Sequence, residues 1–352
     1  MNKLTLFIAM GLAGSGAYAQ GNLTVVTYGG SIAAAQQQAA IKPFAAKTGI
    51  RIQSEDYSGG IAQLKVQVEA KKVTWDVVDM EMPDAVRACN SGLIEKIDPA
   101  KDLAPAPDGS LAATDFLPGA LNGCGVGAYI WTTVVAYNTN AFKESAPKTL
   151  NDFFDLQKFP GKRGLRKAPQ ANLEWALLAD GVPRDQVYST LETEPGLERA
   201  FAKLDTIKSQ VIWWEAGAQP PQLLADGQVT MTSAWNGRIW AAQAKEKQPF
   251  QIIWDGQMYD INVWAVPVGT PNKAEAMDFL RFATSAQVLA DQTKFITYGP
   301  TRKSSQPLVP ADLKPHMPTD PANFATALQV NSEWWGDHAD ELNERFNAWL
   351  AK

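Results

Sequence analysis

The 352-residue sequence has only two histidines, His316 and His338, both near the C-terminus and far from any predicted crevice loop. The usual general base is therefore missing from the body of the chain, and a Ser-His-Asp arrangement has no obvious place to form. No G-x-S-x-G, Walker A or H-E-x-x-H pattern occurs, and no Cys/His cluster has metal-ligand spacing. No cofactor or metal is expected. Acid pairs such as Asp79/Glu81 or Glu215/Asp260 leave a carboxylate enzyme open, but nothing local sets their separation. Cysteine is equally scarce, with Cys89 and Cys124 alone. In an exported chain an even count reads as a disulfide, against the alternative of two separate buried thiols. There is no excess of positive charge. Without residues 1–19 the balance is 31 basic against 37 acidic residues, a net −6, which argues against nucleic acid or an anionic membrane as partner. Long apolar runs are missing as well, apart from residues 4–12, which are too short to span a bilayer.

That short run follows a lysine and precedes Ala17-Tyr18-Ala19, a small-x-small pattern. Residues 1–19 thus read as a secretory signal peptide cleaved after Ala19, and the remainder as a soluble periplasmic chain. The composition, 45% apolar and 20% charged, is that of a globular protein with room for two domains. No internal repeat or low-complexity segment interrupts it.

Past the leader, β-prone and helical stretches alternate. Strands are predicted at 23–28, 50–56 and 75–80, with helices at 32–47, 61–70 and 83–90, a βαβαβ unit that implies a parallel sheet covered by helices. Small or polar residues follow each strand, Tyr28-Gly29-Gly30-Ser31, Tyr57-Ser58-Gly59-Gly60 and Met80-Glu81-Met82, where open α/β sheets line a crevice. Gly-Gly-Ser before a helix exposes N–H groups suited to an anion, although an ordinary turn has the same sequence. Residues 126–138 form a long β-prone run fit to cross between domains. A second α/β unit occupies about 137–255. Near its end, residues 251–254 read as a strand, Asp255-Gly256 as a turn, and residues 259–266 as a second strand. Trp235, Trp240, Trp254, Tyr259 and Trp264 mingle there with Asn236, Arg238, Asp260 and Asn262, which fits either a binding wall or a core with a polar fringe. Ala276, Phe279, Leu280 and Ala283 mark one helical face, and Trp335, Ala339, Leu342, Phe346 and Trp349 mark the apolar stripe of a terminal helix.

The order of these parts resembles a known family. LTVVTYGGS, then WDVV followed by GLIEKID, YIWTTVVAYN, FPGKRGL, TMTSAWNGRIWAA, INVWAVP, AEAMDFLRFATSAQVLA and YGPT succeed one another as in the solute-binding proteins of bacterial ABC importers, in the spermidine/putrescine-binding group and its relatives. The resemblance covers nearly the whole exported chain. It implies an α/β fold of the type II periplasmic-binding-protein kind, with two lobes joined by two crossing strands and closing on a ligand. Lobe 1 is expected at 20–136 plus 260–306, lobe 2 at 137–255 plus part of 307–352, and the hinge strands near 129–138 and 256–266. The implied partners are a small-molecule ligand and an ABC permease in the inner membrane, with the protein itself a monomer.

Residue by residue, Trp235 in AWNG and Tyr298 in TYGPT match the group's cleft aromatics, which sandwich methylenes and amines. The return crossing departs from the polyamine pattern of an aromatic followed two residues later by Asp, carrying Asp260 and Asn262 instead. Arg166 and Lys167 stand where that group has acids, with Glu174 a little further on. One acid opposite a basic patch suits a ligand of both charges. The expected ligand is polyamine-like or a small ω-amino acid, its ammonium near Asp260 and Trp235 and its carboxylate near Arg166 or the Gly29–Ser31 loop. Tyr28, Gly30, Ser31, Glu81, Arg238 and Asn262 complete the candidate site. A small organic anion and a secreted carboxylate enzyme are the alternatives.

Overall fold

A computed structural model describes residues 21–352. The expected signal peptide and its cleavage point after Ala19 lie outside the described residues. Nine strands form one sheet: β1 Asn22–Thr27, β2 Arg51–Asp56, β3 Val77–Glu81, β4 Val126–Asn138, β5 Arg163–Arg166, β6 Val211–Trp214, β7 Met231–Trp235, β8 Phe250–Ala265 and β9 Leu328–Gln329. Their order is β2-β1-β3-β8-β4-β7-β5-β6, with β9 alongside β8. β1 pairs in parallel with β2 and β3, and β5 pairs in parallel with β6 and β7. These two parallel groups meet only through β4 and β8, which run antiparallel to each other. At about 3.4 Å per residue, their 13 and 16 residues are long enough to serve both halves.

Two main hydrophobic cores flank this crossing. One gathers Val25, Val78, Phe44, Trp264 and Phe279. The other gathers Phe153, Trp175, Phe201, Trp335 and Phe346, beside a smaller cluster around Leu224, Ile239 and Phe250. Both predicted helical stripes point inward. Ala276, Phe279, Leu280 and Ala283 are all buried on the helix Lys273–Ala283, and Trp335, Leu342, Phe346 and Trp349 are buried on the C-terminal helix Ser332–Leu350. Glu174 anchors that last helix. Its buried carboxyl accepts the Trp335 indole N–H at 2.7 Å and the Tyr188 hydroxyl at 3.2 Å, and it takes no part in the crevice.

The predicted turn at Asp255-Gly256 is not there, because β8 runs on through it as a bulge. Pairing jumps from Val135↔Ile253 to Thr133↔Met258, so residues 254–257 bow out of the ladder. Gly256 supplies the required φ of +70°, and Leu150 packs 2.7 Å from where a Cβ would stand. Asp255 caps the neighbouring helix Leu150–Phe154 by accepting the Leu150 N–H at 2.9 Å, so a reversal of the chain is unnecessary. Two short helices, Pro99–Asp102 and Ala112–Asp115, lie between β3 and β4.

Cys89 and Cys124 are joined in a disulfide across 35 residues, with a Cα–Cα distance of 5.8 Å. It ties the end of the helix Met82–Asn90 to the loop that feeds β4. Closing a loop of that length stabilises by about 3–4 kcal/mol on the chain-entropy account. The double variant Cys89→Ser/Cys124→Ser is expected to lose stability of that order in urea unfolding. A midpoint within error of the parent protein would contradict this.

Candidate functional site

The carboxyl ends of the parallel strands from both halves converge on one cavity of about 400 Å³. Tyr28 follows β1, Tyr57 and Ser58 follow β2, and Glu81 ends β3. From the other half, Arg166 ends β5, Glu215 follows β6 and Trp235 ends β7. Strand ends deliver side chains into the crevice of open α/β sheets, and here two sets of ends face each other. The crossing strands form the floor with Tyr129, Trp131 and Asn262. A larger groove of about 730 Å³ lies on the outside, against Phe44 and Phe282. It collects no strand ends, so the interlobe cavity is the candidate site.

The walls are mostly aromatic. Tyr28 and Tyr57 meet at 5.0 Å, Tyr129 stacks on Tyr298 at 5.2 Å, and Trp131 and Trp214 each approach Trp235 edge-on at about 6 Å. Trp235 is seated by Gly217, where a Cβ would fall 2.1 Å from the indole. Burial pushes the Tyr298 hydroxyl up to about 12 and raises those of Tyr28, Tyr57 and Tyr129, so these phenols stay neutral.

Beneath the floor lies a polar hub. The buried Asp79 carboxylate accepts from Gln36 Nε2 at 2.7 Å, Asn262 Nδ2 at 2.7 Å and the Tyr129 hydroxyl at 2.9 Å. Asn262 in turn accepts the Trp131 indole N–H through Oδ1 at 2.7 Å. Its amide is thus used at both ends to fix the floor. Desolvation raises Asp79 to about 6 against these hydrogen bonds.

Four charged side chains line the cavity, and Arg166 and Glu81 differ from Glu215 and Arg238 in having no hydrogen-bond partner among the described residues. The Arg166 guanidinium lies 5.6 Å from the Trp235 ring and has no hydrogen-bond partner among the described residues. The Glu81 carboxylate also has none. Burial pushes it up to about 7, opposed by the Arg166 charge and reinforced by Asp84 and Asp79. Glu215 is already paired with Lys167 at 3.1 Å on the outer edge, so Lys167 does not line the cavity. Arg238 lines the cavity and reaches across to Ser31 Oγ at 3.3 Å, lying close over Gly30, which places Ser31 and Gly30 at the lobe contact, outside the cavity lining.

Asp260, expected to meet an ammonium group, lies elsewhere. Set opposite Trp131 in the ladder, it is buried, absent from the cavity lining, and accepts the Ile261 N–H at 2.7 Å. Desolvation, with Glu81 and Asp84 nearby, raises its pKa well above the carboxylate range and favours the neutral form. Tyr57 lies in a loop expected to line the crevice but is not one of the candidate site residues, and neither are Tyr129 and Trp131. A signal for these last two exists in the sequence: they stand two apart on one face of a strand read only as a crossing. Among the described residues no His/Cys/Asp/Glu group could hold a metal, and no helix is long and apolar enough to cross a membrane.

Known proteins share this fold. Residues 39–325 match the family model for bacterial extracellular solute-binding proteins. The chain is 45% identical over 351 residues to the gamma-aminobutyric acid-binding protein of Pseudomonas aeruginosa, covering 100% of this chain and 97% of that one. The structure of the Atu4243–GABA receptor superposes with a TM-score of 0.82 at 35% identity, over 94% of this chain and 98% of that one. Similarity to the putrescine-binding periplasmic protein PotF of Escherichia coli, at 30% identity, is limited to 98 residues, 26% of each chain. Two facing sets of strand ends, two long crossing strands and a match over most of the length make one assignment: this chain belongs to the bacterial extracellular solute-binding proteins, with their two-lobed, type II periplasmic-binding-protein fold.

Proposed function

We propose that this protein captures 4-aminobutyrate or a close ω-amino acid between its lobes and hands it to an ABC permease in the inner membrane. The observation that carries this reading is the Arg166–Glu81 juxtaposition. A guanidinium and a carboxylate, neither hydrogen-bonded to the protein, face one aromatic cavity. Arg166 offers a planar fork to a ligand carboxylate, and Glu81 with the surrounding rings receives an ammonium group. Glu81 takes the role that the sequence assigned to Asp260. A diamine would leave Arg166 facing a positive charge. The gamma-aminobutyric acid-binding relative, similar over its whole length, supports the same ligand class.

The reading extends to the rest of the chain. Release into the periplasm after Ala19 and action as a monomer are part of it, as is the division into lobes at 20–136 plus 260–306 and 137–255 plus part of 307–352. The cores support that division, since one stops at Trp131 and resumes at Ile261 while the other holds Val135, Ile253 and Met258. The bulge at residues 254–257 is then the point where β8 bends on closure. Catalysis is not part of the reading: Asp79 is saturated by three donors and Glu215 is paired with Lys167, which leaves Glu81 without a second free acid.

Thermal unfolding and titration calorimetry with 4-aminobutyrate, putrescine, spermidine and succinate test the proposal. A ligand that binds only the folded state at a hundredfold excess over its Kd adds about 2.7 kcal/mol. A shift with 4-aminobutyrate and none with the polyamines is expected. Binding of putrescine or succinate in its place overturns the proposal.

A further inference from the structure

Glu81 and Arg166 do not only line the ligand cavity. They are also the shared wall of an adjoining chamber of about 200 Å³. No ion pair joins these two side chains among the described residues, and both border each of the two spaces. Its far side is the C-terminal helix Ser332–Leu350, through Trp335, Gly336 and Asn343, and Gln170 borders it from the second lobe.

The chemistry of this wall is specific. The Trp335 indole N–H is committed to Glu174, so the ring turns only carbon and π-surface to the chamber. Asn343 Nδ2 donates to the Ala339 carbonyl at 2.7 Å, which leaves Asn343 Oδ1 as an acceptor without a hydrogen bond among the described residues. Arg87 also borders the chamber, and its charge is answered by an ion pair with Asp84. An aromatic face, an amide oxygen and the Glu81 carboxylate together suit a planar cation with several N–H donors. An ammonium group needs none of this extra space, because it ends at Glu81.

Building on the assignment of the cavity to ω-amino acids, we propose that the chamber is a second subsite that admits the planar head of an ω-guanidino acid, so that the protein binds ω-guanidino as well as ω-amino acids. The ligand carboxylate stays at Arg166. The guanidinium donates two hydrogen bonds to the Glu81 carboxylate and extends past it towards Trp335 and Asn343.

Gly336 provides the test. Gly336 borders the chamber and a Cβ built there meets no atom within 4 Å, so the helix has room for a larger side chain at the chamber wall. Calorimetry with 4-aminobutyrate and 4-guanidinobutyrate would be run on the parent protein, Gly336→Phe and Asn343→Ala. Both ligands are expected to bind the parent. Filling the chamber should weaken 4-guanidinobutyrate about tenfold or more and leave 4-aminobutyrate within about twofold, and losing the Asn343 acceptor should weaken 4-guanidinobutyrate alone by about threefold to tenfold. Asn343 is exposed, so its truncation does not put folding at risk. Binding of 4-aminobutyrate with none of 4-guanidinobutyrate overturns the subsite alone. So does a 4-guanidinobutyrate affinity that both variants leave unchanged, or a parallel loss of both ligands in both variants. Failure of 4-aminobutyrate to bind the parent protein overturns the cavity assignment and, with it, the subsite that rests on it.

Discussion

Replacing Arg166 with alanine is expected to cost 4-aminobutyrate about 3–4 kcal/mol, a loss of 10²–10³ in affinity. The guanidinium has no protein hydrogen bond to fall back on, and its contact with Trp235 holds it at the cavity wall. Closing the lobes removes water from a ligand carboxylate, so loss of its partner leaves a buried charge unanswered, which is the costly case. Putrescine has no carboxylate. Arg166→Ala should not weaken putrescine and should favour it, because the change removes a like charge. Calorimetry with both ligands decides between these outcomes, and equal losses for the two would refute the carboxylate assignment. Arg166→Lys is not expected to rescue more than part of the loss, since an ammonium lacks the two-point fork.

Binding of 4-aminobutyrate is expected to weaken about thirtyfold between pH 8 and pH 5.5, following a Glu81 carboxyl that titrates near 7. The sign follows from the chemistry. Burial favours the protonated acid, whereas an incoming ammonium requires the carboxylate, so binding below pH 7 must expel a proton. Affinity therefore rises with pH by about tenfold per unit below 7 and levels off above it. Calorimetry in buffers of different ionisation enthalpy should detect the released proton at pH 6. Glu81→Gln should both weaken binding and flatten the profile; a wild-type profile already flat from 5.5 to 8 would rule out Glu81 as the ammonium partner. Stability of the ligand-free protein should move the other way. Asp79 near 6 and Glu81 and Glu174 near 7 bind protons more readily folded than unfolded. Their contribution is full below about 4.5 and is lost as pH rises through 6 to 7. Opposite trends for affinity and midpoint separate a binding effect from a folding effect.

Much of the fold was readable before any tertiary contact was known. Alternation of β-prone and helical stretches anticipated both parallel groups, and the 126–138 run matches β4 residue for residue. The buried faces at Ala276–Ala283 and Trp335–Trp349 follow from a 3.6-residue period, a local property. Aromatics placed after strands, Tyr28 and Trp235, line the cavity as their position implied. Asp255-Gly256 reads as a turn in the sequence because Gly at positive φ serves a bulge and a hairpin equally well, and only the partner strand distinguishes them.

The sequence by itself determined the class of fold, the two crossing strands, the shortage of catalytic groups and the presence of both charge signs near an aromatic crevice. These are matters of periodicity, composition and order along the chain. Which acid meets the cavity was decided only in three dimensions. Asp79 and Glu81 lie two apart on one strand face, yet the first is saturated by Gln36, Tyr129 and Asn262 while the second stands unpaired at the open end. Asp260 and Asn262 repeat the contrast on β8, one sunk beside Trp131 and the other completing the floor. Strand alternation names a face, but depth and partners come from helices and strands distant in sequence, and these set whether a carboxyl stays neutral, holds the scaffold or waits for a ligand.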